Sequence, residues 1–325
     1  MDGAMNEDLP TLKDVEAAAD LIRPVLTPTP QICWPLLSAR AGAEVWVKHE
    51  NHNPTGAFKV RGGLTYMAEL KADQPETKGV IAATRGNHGQ SIAHAAKRVG
   101  LTATIVVPRG NSREKNAATA AYGAELVEHG ADFQEALEHA IALGAGRKLH
   151  AVPSFAMGLV RGVATYAREL LLGVPDLDTV YVPIGLGSGI CSMIAMRDAL
   201  GLKTKVVGVV AEGAQAYALS FKAGRPVPTN QAVTVADGLA VRTPHPRAVE
   251  IVCKGADRIV VVGDPEIRAA MTHYYTDTHN LAEGAGAAAL AALLQESRSI
   301  AGKKVAVVLT GGNVDRPVYA GIIGV

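Results

Sequence analysis

The sequence predicts an α/β fold in which a mostly parallel sheet carries helices on both faces. Short β-branched runs alternate along the chain with alanine- and leucine-rich patterns of helical length. This alternation is typical of parallel strands joined by crossover helices, because each strand then lies buried between two helical layers. Glycine is abundant, at 34 of 325 residues, and clusters directly after several of the runs.

The β-branched runs predict the strands and the alanine-rich patterns predict the helices. The predicted strands are Val45–Glu50, Gly79–Thr84, Thr102–Val107, Thr179–Ile184, Val206–Ala211, Ile259–Gly263 and Val305–Thr310. The predicted helices are His88–Val99, Asp132–Leu143, Gly158–Leu172, Ile190–Leu200, Pro265–Thr276 and Glu283–Glu296. Ligands of open α/β sheets bind beyond the carboxyl ends of the strands, so the residues that follow each strand are the candidates for a site.

Composition argues against several classes of function. The net charge of +1 favours neither a nucleic-acid nor an anionic-membrane partner. No run of about 18 apolar residues predicts a membrane span, and the acidic segment 1–20 lacks the apolar core of a secretory signal. Cys33, Cys191 and Cys253 form neither a zinc motif nor a disulfide framework. We therefore expect a cytoplasmic protein.

A lysine follows the first predicted strand. Residues 53–63 read NPTGAFKVRGG, in which a turn built on Pro54 and Gly56 precedes Lys59. A lysine at a helix start faces the positive end of the helix dipole and should lose its proton more easily. That property suits an amine that attacks a carbonyl group. By spacing alone, Lys59 is equally compatible with a solvated surface lysine.

The second predicted strand leads into a polar, glycine-containing turn. Residues 84–91 read TRGNHGQS, and Gly86 and Gly89 allow a tight turn at a helix N-terminus. Free N–H groups at such a terminus form an anion site, which suits a substrate carboxylate. Asn87 offers an amide donor, and His88 offers a side chain that titrates near neutral pH. An ordinary capped turn has the same pattern.

Two later strands also end in glycine-rich turns. Residues 185–190 read GLGSGI, and their alternating glycines form a nest of N–H donors fit for a phosphate. This run matches neither the dinucleotide-binding motif nor the nucleoside-triphosphate loop. Residues 310–313 read TGGN, and the Thr310 hydroxyl can hydrogen-bond a ring nitrogen. Each turn alone is also typical of a simple strand–helix connection, but the four features together are those that pyridoxal phosphate (PLP) chemistry needs.

These motifs make the chain resemble the serine/threonine dehydratase family of PLP enzymes. That family belongs to the fold type II group, which includes serine racemase and tryptophan synthase β. The resemblance covers residues 27–313, nearly the whole chain. The matching motifs are PTGAFKVRG at 54–62, GNHGQ at 86–90, YGAE at 122–125, ADGLAV at 236–241 and EGAGA at 283–287.

The resemblance implies a two-domain α/β architecture similar to tryptophan synthase β. Each domain is then a twisted, mostly parallel sheet flanked by helices. The large PLP-binding domain would comprise residues 1–52 and 154–325. The small domain, residues 53–153, would be inserted and would carry Lys59 and Asn87. The cofactor would lie in the cleft between the domains, and the resemblance implies a homodimer.

The resemblance also implies a role for each motif. Lys59 would bind PLP covalently and act as the base at the substrate's Cα, while Phe58 would pack against the pyridine ring. Asn87 would hydrogen-bond the phenolic oxygen of the cofactor, and Thr310 would contact its pyridine nitrogen. The phosphate would bind to Gly185, Leu186, Gly187, Ser188 and Gly189. The substrate would contact Thr84, Arg85, Gly86, Asn87 and His88.

The implied reaction removes the β-hydroxyl of a small 3-hydroxy-amino acid and yields a 2-oxo acid and ammonia. Arg85 occupies the position at which the family's racemases carry a serine acid/base. An arginine does not deprotonate, so we expect no racemisation and expect Arg85 to face the substrate's carboxylate or side chain. Ala218 replaces the second acidic residue of a divalent-cation site that Glu212 and Ala216 would begin, so we expect a monovalent ion or no metal in place of a divalent one. The sequence continues only 12 residues past Asn313, without the regulatory domain of biosynthetic threonine dehydratases, which implies a catabolic role.

Three other interpretations remain at this stage. The segment around Lys59 is similar to threonine synthase, although Val60 stands where that family usually has an acidic residue. A β-replacement enzyme is the second interpretation, although such enzymes usually lack the phenylalanine found here at Phe58. An inactive PLP-binding protein is the third. The substrate also stays open among serine, threonine, phenylserine and hydroxyaspartate, because the chain resembles a divergent branch that includes hydroxyectoine-utilisation dehydratases.

Overall fold

The computed structural model describes residues 8–324, so the first seven residues of the acidic N-terminal segment lie outside the described part. Its strands are β1 (Gln31–Cys33), β2 (Glu44–His49), β3 (Gly79–Ala83), β4 (Thr102–Val107), β5 (Glu125–Glu128), β6 (His150–Ala151), β7 (Thr179–Pro183), β8 (Lys205–Ala211), β9 (Arg258–Val262) and β10 (Lys304–Leu309).

Helices connect the strands. They are α1 (Leu12–Ile22), α2 (Pro35–Ala41), α3 (Lys59–Asp73), α4 (Asn87–Arg98), α5 (Arg113–Ala121), α6 (Phe133–Arg147), α7 (Met157–Gly173), α8 (Ser188–Ala199), α9 (Ala216–Ala223), α10 (Pro246–Gly255), α11 (Asp264–Thr278), α12 (Gly284–Gln295) and α13 (Arg316–Ile323). None of the helices within residues 8–324 is long and apolar enough to cross a lipid bilayer.

The strands form two separate sheets, which confirms the predicted α/β class. The first has six strands in the order β1-β2-β10-β7-β8-β9, and the second has four in the order β5-β4-β3-β6. Between the described strands, only the pairing of β1 with β2 is antiparallel. Each predicted strand is present with ends within one residue of the prediction. Strands β1, β5 and β6 were not predicted, because they are short edge strands without a long β-branched run.

The six-stranded sheet is buried on both faces. Val45 and Val47 of β2 belong to the core formed with α2, α11 and α12, whereas Trp46 packs into the core formed with α7, α8 and α10. β10 alternates in the same way, with Val307 in the first core and Val308 in the second. Because successive side chains of a strand point to opposite faces, burial of both faces favours apolar residues at successive positions.

The four-stranded sheet has its own layers of helices. Val80 and Ala82 of β3 pack in a cluster with residues of α3 and α4. Ile81 and Ala83 of the same strand pack against α6 on the opposite face. The segment before α3 also reaches the six-stranded sheet, because Phe58 donates its backbone N–H to the carbonyl of Thr310, just after β10, over 3.0 Å. The lysine segment therefore joins the carboxyl-end edge of the larger sheet.

Candidate active site

Lys59 is the first residue of α3 and its side-chain amine faces the glycine-rich turn before α8. Its Nζ lies 3.2 Å from Ser188 Oγ and 5.0 Å from the centre of the Phe58 ring. The backbone carbonyl of Lys59 accepts a 2.6 Å hydrogen bond from Ser91 Oγ of α4. Burial lowers the pKa of Lys59 to about 8. A substantial fraction of the amine is therefore neutral at mildly alkaline pH.

A buried network of four charged side chains, Lys48, Glu50, Arg61 and Glu169, holds the first turn of α3 in place. Both Glu50 and Glu169 accept two hydrogen bonds from the Arg61 guanidinium, with distances between 2.7 and 3.0 Å. The Lys48 ammonium contacts Glu169 at 2.5 Å. Burial alone would lower the pKa of Arg61, but the two carboxylates outweigh it and raise that pKa. Two positive and two negative charges thus balance inside the protein.

Arg61 belongs to the PTGAFKVRG motif, but no role was predicted for it from the sequence. The sequence does contain an indication that Arg61 is buried and paired, since it interrupts the largely apolar and glycine-rich helical stretch of residues 60–67. A charged residue at a position that a helix buries requires a partner of opposite charge. The partners, Glu50 and Glu169, lie 11 and 108 residues away along the chain and could not be identified without the fold.

The turn from Gly185 to Gly189 packs so closely against neighbouring segments that Gly185 and Gly187 have no space for a side chain. Gly187 adopts a positive φ of 105°, and a Cβ there would lie 2.8 Å from the Cβ of Ala248. A Cβ on Gly185 would collide with the backbone carbonyl of Gly238. Two buried tyrosines take up carbonyl groups of the turn, because Tyr217 donates to Leu186 O at 2.8 Å and Tyr166 donates to Gly189 O at 3.0 Å.

This turn opens the 12-residue helix α8, whose first residue is Ser188. The N-terminal N–H groups of a helix have no partner within the helix and attract anions. The tyrosines bind the neighbouring carbonyl groups, which would otherwise repel an anion. The arrangement fits a phosphate group.

Residues 84–88 form the turn between β3 and α4. Thr84 is buried, and its Oγ1 accepts a 3.0 Å hydrogen bond from the Gly86 N–H. Arg85, which we expected to face the substrate, is exposed. His88 is buried, and its Nε2 has no hydrogen-bond partner within residues 8–324. Burial, together with the nearby charge of Lys59, lowers the pKa of His88 to about 3, so the expectation that it titrates near neutral pH is wrong.

A cation does lie beside Gly86, but it is Lys115 of α5 and not Arg85. A Cβ on Gly86 would lie 2.6 Å from Cδ of Lys115, whose side chain is 10% exposed. The ammonium group is 3.6 Å from Asp237 and 3.8 Å from Glu283. These three side chains line a cavity of about 90 Å³. The sequence analysis did not single out Lys115.

Asn87 lies in a chain of polar side chains. Its Nδ2 donates to Glu283 Oε1 at 2.6 Å, and its Oδ1 accepts from Asn313 Nδ2 at 2.8 Å. Burial raises the pKa of the Glu283 carboxyl, although Lys115 and Asn87 act in the opposite direction. Glu283 and Asn313 were quoted in motifs without a role, and the structure now brings both into contact with Asn87.

Thr310 and Phe58 complete the cleft. Thr310 follows β10 directly and is buried, and the antiparallel bridge between Ala57 and Gly311 ties it to the lysine segment. The Phe58 ring packs edge-on against Tyr166, with ring centres 6.1 Å apart. Among residues 8–324, no group of three or more His, Cys, Asp or Glu side chains is arranged to hold a metal ion.

The residues of this cleft fit a cofactor that carries an aldehyde and a phosphate. The Lys59 amine can supply the nucleophile, since its hydrogen bond goes to a hydroxyl and its pKa is lowered by burial. The glycine turn offers the N–H groups of the α8 terminus to an anion, and a side chain at Gly185 or Gly187 would clash with neighbouring protein atoms. The unpartnered His88 Nε2 and the Asn87 amide add neutral polar groups.

Comparisons with known proteins point to the same cofactor. A family model described as pyridoxal-phosphate dependent enzyme matches residues 22–311. The L-threonine ammonia-lyase of Thermotoga maritima is 35% identical over 308 residues, which are 94% of this chain and 76% of that protein. The L-threo-3-hydroxyaspartate ammonia-lyase of Saccharomyces cerevisiae is 33% identical and is matched over 97% of both chains. The structure of maize serine racemase superposes with a TM-score of 0.90 at 28% identity over 96% of each chain.

Proposed function

The chain belongs to the family of pyridoxal-phosphate dependent enzymes, and we propose that Lys59 is the residue through which it binds this cofactor. The protein is a lyase of the dehydratase type, which converts a 3-hydroxy-amino acid to a 2-oxo acid and ammonia. The observation that carries the Lys59 assignment is its buried amine, with a pKa of about 8, hydrogen-bonded to Ser188 of the glycine turn.

Each residue of the cleft has its own role in cofactor binding or in catalysis. When bound, PLP supplies an electron sink for negative charge at the substrate's Cα. The neutral Lys59 amine accepts the proton from Cα, since a lowered pKa keeps part of it unprotonated. The N–H groups from Gly185 to Gly189 bind the phosphate at the α8 terminus. Phe58 packs against the pyridine ring and Asn87 donates to the phenolic oxygen.

Two features concern the selectivity for elimination and for the substrate. The Thr310 hydroxyl would donate to the pyridine nitrogen of bound PLP without transferring a proton, which would limit the electron sink and favour loss of a β-hydroxyl over long-lived carbanion chemistry. The turn of Thr84, Arg85, Gly86, Asn87 and His88 binds the substrate's carboxylate. Buried and neutral, His88 contributes hydrogen bonds to this site and no positive charge.

The assignment of Lys59 is tested by replacing it. The purified Lys59→Ala variant should bind no borohydride-reducible cofactor and should release no 2-oxo acid from any hydroxy-amino acid. The control is Lys254→Ala, because Lys254 is 75% exposed and pairs only with Glu250 among the described residues. Mass spectrometry of the reduced protein should place the cofactor on the peptide that contains Lys59 in the control and in the unmodified chain. A Lys59→Ala protein that still turns over its substrate would refute the assignment.

The substrate is a serine, threonine, phenylserine or hydroxyaspartate type of hydroxy-amino acid. Hydroxyaspartate is a member of the set because one relative of similar length is a hydroxyaspartate ammonia-lyase. Steady-state release of ammonia from each of the four compounds, with phosphohomoserine as the threonine synthase control, selects among them. If the preferred substrate has a second carboxylate, the cations that could bind it include Arg85, which belongs to the 84–88 turn, and Lys115, which packs against Gly86.

We propose three further properties. The chain divides into a large domain (1–52 and 154–325) and a small inserted domain (53–153), a division supported by the two sheets, since β3 to β6 pair only with one another. A cytoplasmic location is supported by three cysteines that form no disulfide. A homodimer is supported by the exposed apolar side chain of Leu36, next to the Trp34–Pro35 segment.

A further inference from the structure

The Asn87 amide is held at both of its ends. Asn313 Nδ2 donates to Asn87 Oδ1 at 2.8 Å, and Asn87 Nδ2 donates to Glu283 Oε1 at 2.6 Å. Asn313 Nδ2 also donates to the backbone carbonyl of Thr55 at 2.8 Å. Because a backbone carbonyl only accepts, this last contact determines which end of the Asn313 amide faces Asn87. The Thr55 carbonyl thus fixes the orientation of the Asn313 amide, and Asn313 in turn orients the Asn87 amide so that it donates to Glu283.

The opposite orientation of the Asn87 amide is excluded by its two partners. After a flip, Asn87 Oδ1 would face Glu283 Oε1, so that two acceptors would meet whenever the Glu283 carboxyl is ionised. At the other end Asn87 Nδ2 would face Asn313 Nδ2, so that two donors would meet. Each mismatch leaves partly buried polar groups without a hydrogen-bond partner, which is unfavourable. The observed orientation leaves one of the two hydrogens of Asn87 Nδ2 free to bind a ligand.

Two glycines, Gly56 and Gly311, leave space for the hydrogen-bonded side chains of Asn313, Asn87 and Glu283. A Cβ on Gly56, which has a φ of 67°, would lie 2.5 Å from Asn313 Oδ1. A Cβ on Gly311 would lie 2.6 Å from Glu283 Oε1. The TGGN motif therefore supplies both the asparagine and the space that lets Glu283 approach Asn87.

We propose that Asn313 is a positioning residue that, together with Glu283, holds the Asn87 amide in the orientation that donates to the phenolic oxygen of bound PLP. The inference rests on the proposed role of Asn87. It assigns to the last residue of the TGGN motif a function that acts entirely through another side chain.

The test measures the ionisation of the phenolic oxygen and does not depend on turnover. Bound PLP absorbs in the visible when this oxygen is ionised and in the near ultraviolet when it is a neutral phenol. An N–H donor favours the ionised form, so its loss shifts the balance towards the neutral form. We expect Asn313→Asp and Asn313→Ala to lower the ratio of the visible to the near-ultraviolet band about tenfold, the effect of one hydrogen bond to a charged group.

A control variant and a double variant distinguish a positioning role of Asn313 from a general disturbance of the structure. Asn51→Asp is the matched control, because the Asn51 amide likewise donates to a side-chain oxygen, that of Asn280, and to a backbone carbonyl, that of Leu281, yet within residues 8–324 it makes no hydrogen bond to Asn87. This variant should keep the band ratio of the unmodified protein. In an Asn87→Ala background, Asn313→Ala should cause no further change in the ratio, since it acts through Asn87. Asn313→Ala introduces no charge, so it remains informative even where Asn313→Asp fails to fold.

The outcomes distinguish this inference from the proposed function beneath it. An unchanged band ratio in Asn313→Ala, together with a lowered ratio in Asn87→Ala, overturns the positioning role and leaves the role of Asn87 intact. An unchanged ratio in Asn87→Ala overturns both. Additive effects in the double variant also overturn the inference, because Asn313 would then act independently of Asn87.

Discussion

Lys59 combines two properties that a lysine on the protein surface does not have. Its amine is buried next to a hydroxyl, Ser188 Oγ, and its ammonium form is therefore disfavoured without a neighbouring carboxylate to restore it. The helix that begins at Lys59 adds the positive end of its dipole in the same direction. Both effects favour the neutral amine, the form that attacks an aldehyde.

The pH dependence of cofactor incorporation follows from this lowered pKa. Below pH 8 the neutral fraction of the Lys59 amine grows with pH, so the rate of PLP incorporation into the apoenzyme should rise by about tenfold per pH unit. Above pH 8 the rate should level off. Stopped-flow measurement of the visible band after mixing apoenzyme with PLP checks the profile. A rate that still climbs steeply between about pH 9 and 10 would indicate a lysine with an ordinary pKa.

At the scale of secondary-structure elements, the buried charges beneath α3 determine where the lysine sits. Arg61 lies two residues after Lys59 and joins α3 to Glu50, which directly follows β2, and to Glu169 of α7. Burial would raise the pKa of Glu50, but Arg61 and Lys48 outweigh it and lower that pKa. The network therefore remains charged, and each charge needs its partners to remain buried.

Removing Arg61 should consequently destabilise the fold. In Arg61→Met the two carboxylates stay buried without their shared partner, and we expect the free energy of unfolding to fall by about 3–5 kcal/mol. The matched control is Arg147→Ala, which breaks the Arg147–Glu125 pair, with side chains 46% and 50% exposed, and should cost less than about 1 kcal/mol. Urea unfolding of the apoenzyme, followed by circular dichroism, measures both. Equal losses in the two variants would contradict the network's role.

The elements and the site differ in how far the sequence predicts them. Strands such as Thr102–Val107 were located to the residue because burial on both faces leaves a continuous β-branched run. The glycine turn at 185–189 was found because its signal is local. The network of Arg61 and Glu169 was missed because its members come together only through the packing of α3 on α7. The contact of Asn313 with Asn87 was not predicted for the same reason, because the two residues are 226 positions apart in the sequence.

On the scale of the whole molecule, the α5–α13 contact, formed by Ser112, Glu114, Asp315 and Arg316, connects the two sheets across the cleft. Ser112 Oγ donates to Asp315, and the Glu114 carboxylate accepts the Arg316 N–H at 3.1 Å. α5 follows β4 of the four-stranded sheet, whereas α13 follows β10 of the six-stranded sheet. The contact lies beside Lys115 and the cavity next to Asn87, so we expect it to hold the cleft closed over the candidate site.

Weakening this contact should affect substrate binding more than folding. In a Glu114→Ala/Asp315→Ala variant the two sheets keep their own cores, but the closed arrangement loses about 1 kcal/mol from each bond. If closure accompanies substrate binding, the loss of about 2 kcal/mol should raise KM roughly thirtyfold, while the thermal midpoint should change little because these bonds belong to neither sheet's core. Glu138→Ala on α6 is the control, since its carboxylate contacts Gln134 of the same helix. An unchanged KM in the double variant would show that the α5–α13 contact does not contribute to closure.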